Sequence, residues 1–93
     1  MKYVLIIHEV NDYAVWKKRF DQAGDLRRSA GEIEFQLLKY ADNPNKLVHF
    51  SKWQSLDQAK IFFESDKVKD IRKNLGVKAP EFIYLDELEN GIL

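Results

Sequence analysis

The sequence predicts an α+β fold of the ferredoxin-like kind, with elements in the order βαββαβ. Three observations carry this. Four segments rich in β-branched and aromatic residues are interleaved with two helical stripes in that order. The two middle strands are joined by Asp42-Asn43-Pro44-Asn45, a cluster of Asx residues and proline that reverses the chain into a hairpin. The chain has 93 residues, enough for one core and little more, so residues 1–93 read as a single domain.

Residues 3–9 (YVLIIHE) form the first strand, and their near-continuous apolar run places it centrally in the sheet. Asn11-Asp12 offers an N-cap. Tyr13, Trp16, Phe20, Ala23, Arg27 and Ala30 then recur at spacings of three and four, which predicts one helix that Gly31 ends. Residues 33–41 and 46–54 are the hairpin strands, with Ile33, Phe35 and Leu37 on one face. Ser55 and Gln58 make a capping box ahead of Leu56, Ala59, Phe62 and Phe63. Ser65-Asp66 opens a further stretch carrying Val68, Ile71 and Leu75, and Gly76 closes it. Residues 77–80 read as a linker and 81–88 as the last strand.

Right-handed crossovers put these strands in an antiparallel sheet of order 4-1-3-2 with the helices on one face. The other face is left bare, and an apolar face of that size calls for a partner. The expected solution is a homodimer packed face to face, a dimeric α+β barrel. Area scaling gives a folded surface of about 5,600 Å² for a chain of this mass.

Composition removes several classes. Fifteen basic and fifteen acidic residues balance to zero net charge, which gives no footprint for nucleic acid. The clusters Lys17-Lys18-Arg19 and Lys67/Lys69/Arg72/Lys73 read as solvated helix faces. There is no cysteine, hence no thiol nucleophile and no Cys-ligated metal. The apolar run of the first strand is too short to span a membrane, so no membrane association and a cytoplasmic location are expected.

No Ser-His-Asp spacing, P-loop, GxGxxG or HExxH motif is present. The candidates are polar or aromatic residues set inside apolar patterns. His8 ends the first strand and His49 lies in the third, so the topology lets them approach each other. Each reads either as an acid–base imidazole in a cavity or as a hydrogen-bonded strand histidine. Two histidines alone fall short of a metal site. Arg27 sits in the first helical stripe, where its head either snorkels to water or holds an anion. Trp16 and Trp53 lie at the helix–sheet contact, as core or as walls of a ligand cavity. Phe62 and Phe63 are consecutive and cannot point the same way.

The stretch His8-Glu9-Val10-Asn11-Asp12-Tyr13-Ala14-Val15-Trp16-Lys17 resembles the HxVxDYxxWK opening of one branch of the antibiotic-biosynthesis-monooxygenase-like superfamily. Phe20-Asp21, Leu26-Arg27-Arg28, Ala30-Gly31, the ADNPN turn at 41–45, Trp53-Gln54-Ser55, Ala59 with Phe62-Phe63, and Gly76-Val77 continue the pattern. The resemblance implies a dimeric α+β barrel with a cleft between sheet and helices. It implies cofactor-independent oxygenation of a phenolic or quinone-like compound. That chemistry needs a dry aromatic slot, a proton acceptor and an oxyanion donor. His8 and Arg27 would be the catalytic pair there, with Trp16, Phe20, His49, Trp53 and Phe62 lining the pocket for a small aromatic ligand. No cofactor is expected. A non-catalytic ligand-binding or interaction module is the alternative, and haem binding or degradation a weaker one. The haem-degrading branch carries a Trp and a His where this chain has Phe62 and Arg72. A cavity of several hundred Å³ containing His8 would favour binding or catalysis over a filled core.

Overall fold

The computed structural model describes all of residues 1–93. The elements are β1 (Lys2–Glu9), α1 (Tyr13–Gln22), α2 (Gly24–Ala30), β2 (Glu32–Tyr40), β3 (Asn43–Trp53), α3 (Leu56–Glu64), α4 (Asp66–Asn74) and β4 (Lys78–Asp86). The four strands form one antiparallel sheet in the order β2-β3-β1-β4, the predicted ferredoxin-like arrangement.

Strand alternation decides what each residue faces. In β1, Val4, Ile6 and His8 are buried under the helices, whereas Tyr3, Leu5 and Ile7 on the other face are only half-covered. The register carries this across the sheet. Leu5 stands opposite Phe50 and Ile83, and Tyr3 opposite Leu85. An apolar band therefore runs over the uncovered face, with the Tyr3 and Phe50 rings stacked at 5.0 Å. The accessible surface is 6392 Å², about 800 Å² above the ~5,600 Å² that area scaling gives for this mass.

The predicted first helix is two helices. Asp12 caps α1, its carboxylate accepting from the Ala14 and Val15 amides. The helix breaks at Ala23, just before Gly24, where helix propensity is lowest. The break swings α2 so that Arg27 turns back under Phe20. Gly31 ends α2 at φ 119°, and a Cβ there would meet Gln58 Oε1 at 2.7 Å, so conformation and space both call for glycine.

Three boundaries also differ from the sequence reading. The hairpin turn is Ala41-Asp42, because Tyr40 already pairs with Asn43. Pro44 is accommodated in β3 because it lies beyond the last β1 pair, Glu9 with Lys46. β4 starts at Lys78, within the expected linker, and an edge position accommodates Pro80. A bulge at the start of β2, between Glu32 and Glu34, turns Glu32 inward and leaves Ile33 half-exposed, off the face it was expected to share with Phe35 and Leu37.

The core has two parts. Val4, Ile6, Trp53, Ala59, Phe63 and Val68 fill the contact of α3 and α4 with the sheet. Val10, Trp16, Phe20 and Leu47 form a second cluster under α1. Ser51 belongs in the first because its Oγ accepts the Trp53 indole N–H at 2.8 Å, which satisfies a buried donor.

Candidate ligand site

Between the two core clusters lies a cavity of about 100 Å³, walled by α1, α2, α3, α4 and the sheet. It is smaller than the several hundred Å³ set out as the mark of a ligand site. An apolar cavity of about 150 Å³ holds benzene, so a single ring is the upper limit for a space of this size. A second hollow of about 380 Å³, lined by Tyr13, Leu37 and Leu47, shares Trp16 with the first but has no imidazole or guanidinium on its wall.

His8, Trp16, Phe20, Arg27, His49 and Phe62 all line the first cavity. Trp53 does not. It is 1 % exposed and packs between Phe62 and Phe63 at ring distances of 5.7 and 5.3 Å, as core. Trp16 forms the aromatic wall, stacked on Phe20 at 4.9 Å and tilted against His8 at 5.2 Å.

The two histidines share a face. His49 stands opposite Ile6 and His8 opposite Leu47, so they are diagonal neighbours across β1 and β3. Their environments differ sharply. His49 Nε2 donates to Glu32 Oε2 at 2.8 Å, and its ring is edge-on to Phe20. His8 is 6 % exposed, and neither ring nitrogen has a partner in the protein. Burial, helped by the charges of His49 and Arg72, lowers its pKa from 6.5 to about 4. At neutral pH His8 is uncharged, with one nitrogen a donor and the other an acceptor.

The β4 strand makes room at His8. Pairing slips between Ile7–Glu81 and Glu9–Lys78, so His8 has no partner there. Ala79 takes a left-handed φ of 44° at this bulge. Pro80, which has no N–H to offer, lines the cavity beside it.

Arg27 neither snorkels nor presents a free charge. It is 7 % exposed, and its Nε donates to Glu32 Oε1 at 2.5 Å and its Nη1 to the Phe20 carbonyl at 2.5 Å. The guanidinium lies 3.6 Å from the Phe20 ring centroid. Its anion is an internal carboxylate. Burial pushes the Glu32 carboxyl up, but hydrogen bonds and charges from His49 and Arg27 outweigh it, and the net shift is downward. Glu32 is thus an ionised hub joining α2, β2 and β3.

Sequence reading missed Glu32 and Arg72, and it did not foresee that Arg19, exposed as expected, also borders the cavity. Glu32 was signalled by Arg27 itself, since an arginine on an apolar stripe needs a counter-ion within reach. Arg72 was assigned to a solvated face, yet it completes the stripe Val68, Ile71, Arg72, Leu75 at helical spacing. It lines the cavity, lies 4.9 Å from the Phe82 ring centroid, and has its Nη1 buried with no partner. Lys67, Lys69 and Lys73 are exposed as expected.

Two outcomes follow for stability. Replacing Glu32 by Ala strands a buried guanidinium and should cost about 3–5 kcal/mol. Arg27→Met with Glu32→Leu together should cost far less than the two single changes summed, read as urea midpoints in a double-mutant cycle. The second outcome concerns pH. His8 binds its proton near pH 6.5 when unfolded and near 4 when folded, so the unfolded state holds more protons between these values. Stability therefore rises with pH across that window, by up to about 3 kcal/mol, and is lost as pH falls. Urea titrations from pH 4 to 7 should show a shallower rise for His8→Phe than for the wild type.

No curated protein matches the chain by sequence. Solved structures do match its fold. SnoaB, a cofactor-independent oxygenase from Streptomyces nogalater, superposes with a TM-score of 0.76 at 14% identity, covering 96% of this chain and 94% of its own. Rv0793 from Mycobacterium tuberculosis gives 0.69 at 16% identity, with 99% and 100% covered. An MhuD variant with two manganese protoporphyrin IX molecules per active site gives 0.69 at 18% identity, with 98% and 99% covered. At these identities the likeness is one of fold. The family description "Antibiotic biosynthesis monooxygenase" matches residues 14–74, which run from α1 through α4 and hold most of the cavity wall. The chain belongs to the antibiotic biosynthesis monooxygenase family.

Proposed function

We propose that the chain is a homodimeric small-molecule-binding protein that acts as a cofactor-independent monooxygenase on a small phenolic or quinone-like compound. The observation that carries this is His8, an imidazole buried in an aromatic-walled cavity with both nitrogens unpartnered. Such a group costs stability unless something enters to use it. The likeness to SnoaB supports the reaction class.

The chemistry divides simply. In oxygenation of a phenol to a quinone, the substrate itself reduces O₂. One oxygen atom enters the ring and the other leaves as water. The protein's part is to ionise the hydroxyl and exclude bulk water. Neutral His8 accepts the phenol proton, and the resulting phenolate offsets the burial that otherwise disfavours imidazolium. Trp16, Phe20 and Phe62 hold the ring and keep the slot dry. Glu32, through its bond to Nε2, fixes the tautomer and orientation of His49 beside it. The family's haem chemistry fits this chain poorly. A porphyrin is far larger than a cavity of about 100 Å³, and Phe62 and Arg72 stand where the haem-degrading branch has Trp and His.

The dimer rests on the bare sheet face. Tyr3, Leu5, Phe50, Ile83 and Leu85 form a band that no element of the chain covers. Sedimentation should show a dimer at low micromolar concentration. A folded monomer there would refute it.

The catalytic reading is tested on His8→Ala. The variant should remain folded, because the ring lines a cavity. It should lose about 10²–10⁴-fold in phenol-dependent O₂ uptake. A lowered melting temperature with unchanged binding would instead make His8 a core residue and the protein a ligand-binding or interaction module.

A further inference from the structure

Three side-chain polar atoms in the chain are buried without a partner: His8 Nδ1, His8 Nε2 and Arg72 Nη1. Both residues line the same cavity. That coincidence has a chemical meaning, because native proteins rarely leave buried donors unsatisfied and here they gather around one empty space.

The rest of the wall sharpens it. Arg19, Arg27 and Arg72 line the cavity together with the two histidines, and no carboxylate does. The positive charges are not equivalent. Arg27 is neutralised by Glu32, which stands behind it, and Arg19 turns one Nη1 to Gln22 on its own helix. Arg72 forms no ion pair. Its guanidinium rests against the Phe82 ring, with an N–H left over inside. Its charge is felt at His8, whose protonation it disfavours. A neutral His8 next to a cationic, unpaired Arg72 makes a site with a fixed positive charge and a second group able to donate one hydrogen bond. The aromatic rings of Trp16, Phe20 and Phe62 shape the remaining space for a flat apolar body.

We propose that Arg72 and His8 form an oxyanion site that selects single-ring aromatic compounds carrying an ionised acidic oxygen, with Arg72 as the charge anchor in place of Arg27. The acidic oxygen belongs to a carboxylate or an ionised phenol. Arg72 Nη1 donates to it, and His8 donates the second hydrogen bond, from its N–H to a carboxylate or, to a phenolate, from the nitrogen that has taken the phenol proton. The ring lies along Trp16. In a cavity that excludes water, one unscreened guanidinium outweighs the cost of desolvating a single anionic oxygen, whereas a neutral ring leaves both polar groups as they were. This rests on the reading that the cavity binds small aromatics, and it names which of them bind.

Three probes of similar size separate the two ideas: benzoate, 4-nitrophenol and neutral nitrobenzene, titrated by calorimetry into the purified wild-type protein at pH 7.5. Benzoate and 4-nitrophenol should each bind at least 10-fold tighter than nitrobenzene. The visible phenolate band should show that bound 4-nitrophenol ionises at a lower pH than free 4-nitrophenol. Arg72→Met keeps a flexible apolar stem against Phe82. With its fold checked by circular dichroism, it should bind the two acids no tighter than it binds nitrobenzene. Arg72→Lys should restore part of it, which a purely packing role would not. If only one acid is preferred, the acidic oxygen is assigned to that source and the oxyanion site stands. Nitrobenzene binding as tightly as the acids, or an acid preference that survives in Arg72→Met, would overturn the oxyanion site while leaving an aromatic pocket. Failure of all three probes to bind would overturn the pocket reading and this inference with it.

Discussion

The buried carboxylate of Glu32 is the constraint on which the site depends. It is the first residue of β2, set directly after the left-handed turn at Gly31, and each of its oxygens has a different partner. Through Arg27 it fastens α2, and through the Phe20 carbonyl that Arg27 also holds it reaches the end of α1. Through His49 it fastens β3. An ionised group in such a place is tolerated because each of its oxygens meets a buried donor, one of them a cation. The break between α1 and α2 then has a reason: it lets a guanidinium fold back beneath an aromatic ring to meet this carboxylate.

The same arrangement divides the two histidines. Both project from adjacent strands onto one face, and strand alternation alone offers no ground to distinguish them. Their neighbours do. One imidazole is tied to a carboxylate and held in a set orientation. The other is surrounded by apolar side chains and a cation, and stays neutral down to acidic pH. A pair of similar groups driven apart by their surroundings is a recurrent basis for acid–base function.

The strand order and the helical stripes were legible because hydrophobic period, caps and the hairpin turn all pointed the same way. His8, Trp16, Phe20, His49 and Phe62 could be grouped in advance, since strand alternation and helical spacing put them on inward faces. What escaped was tertiary in origin. The stripe from Tyr13 to Ala30 runs through Gly24 without interruption, and the break beside it serves the pairing of Arg27 with Glu32. The bulge after Glu32 shifts the alternation by one, so a glutamate that pattern alone would put on the surface points inward. Arg72 was concealed by its neighbours, because three lysines around it do face water. Trp53 had the position of a pocket wall but is enclosed by Phe62 and Phe63, a detail of packing that spacing does not encode.

The irregularities at the margins of the sheet have a further effect. Its two outer strands are β2 and β4, and each departs from regular pairing: β2 after Glu32 and again near Tyr40, β4 opposite His8. On β4 the interruption coincides with Pro80, which removes a donor, and follows Lys78. A foreign strand seeking to extend the sheet by hydrogen bonding meets a broken row of amides on either side. Meeting by edges is thereby discouraged, whereas the broad apolar face stays open. The distortion that clears space beside an imidazole also guards a small β-rich chain against the stacking that leads to fibres.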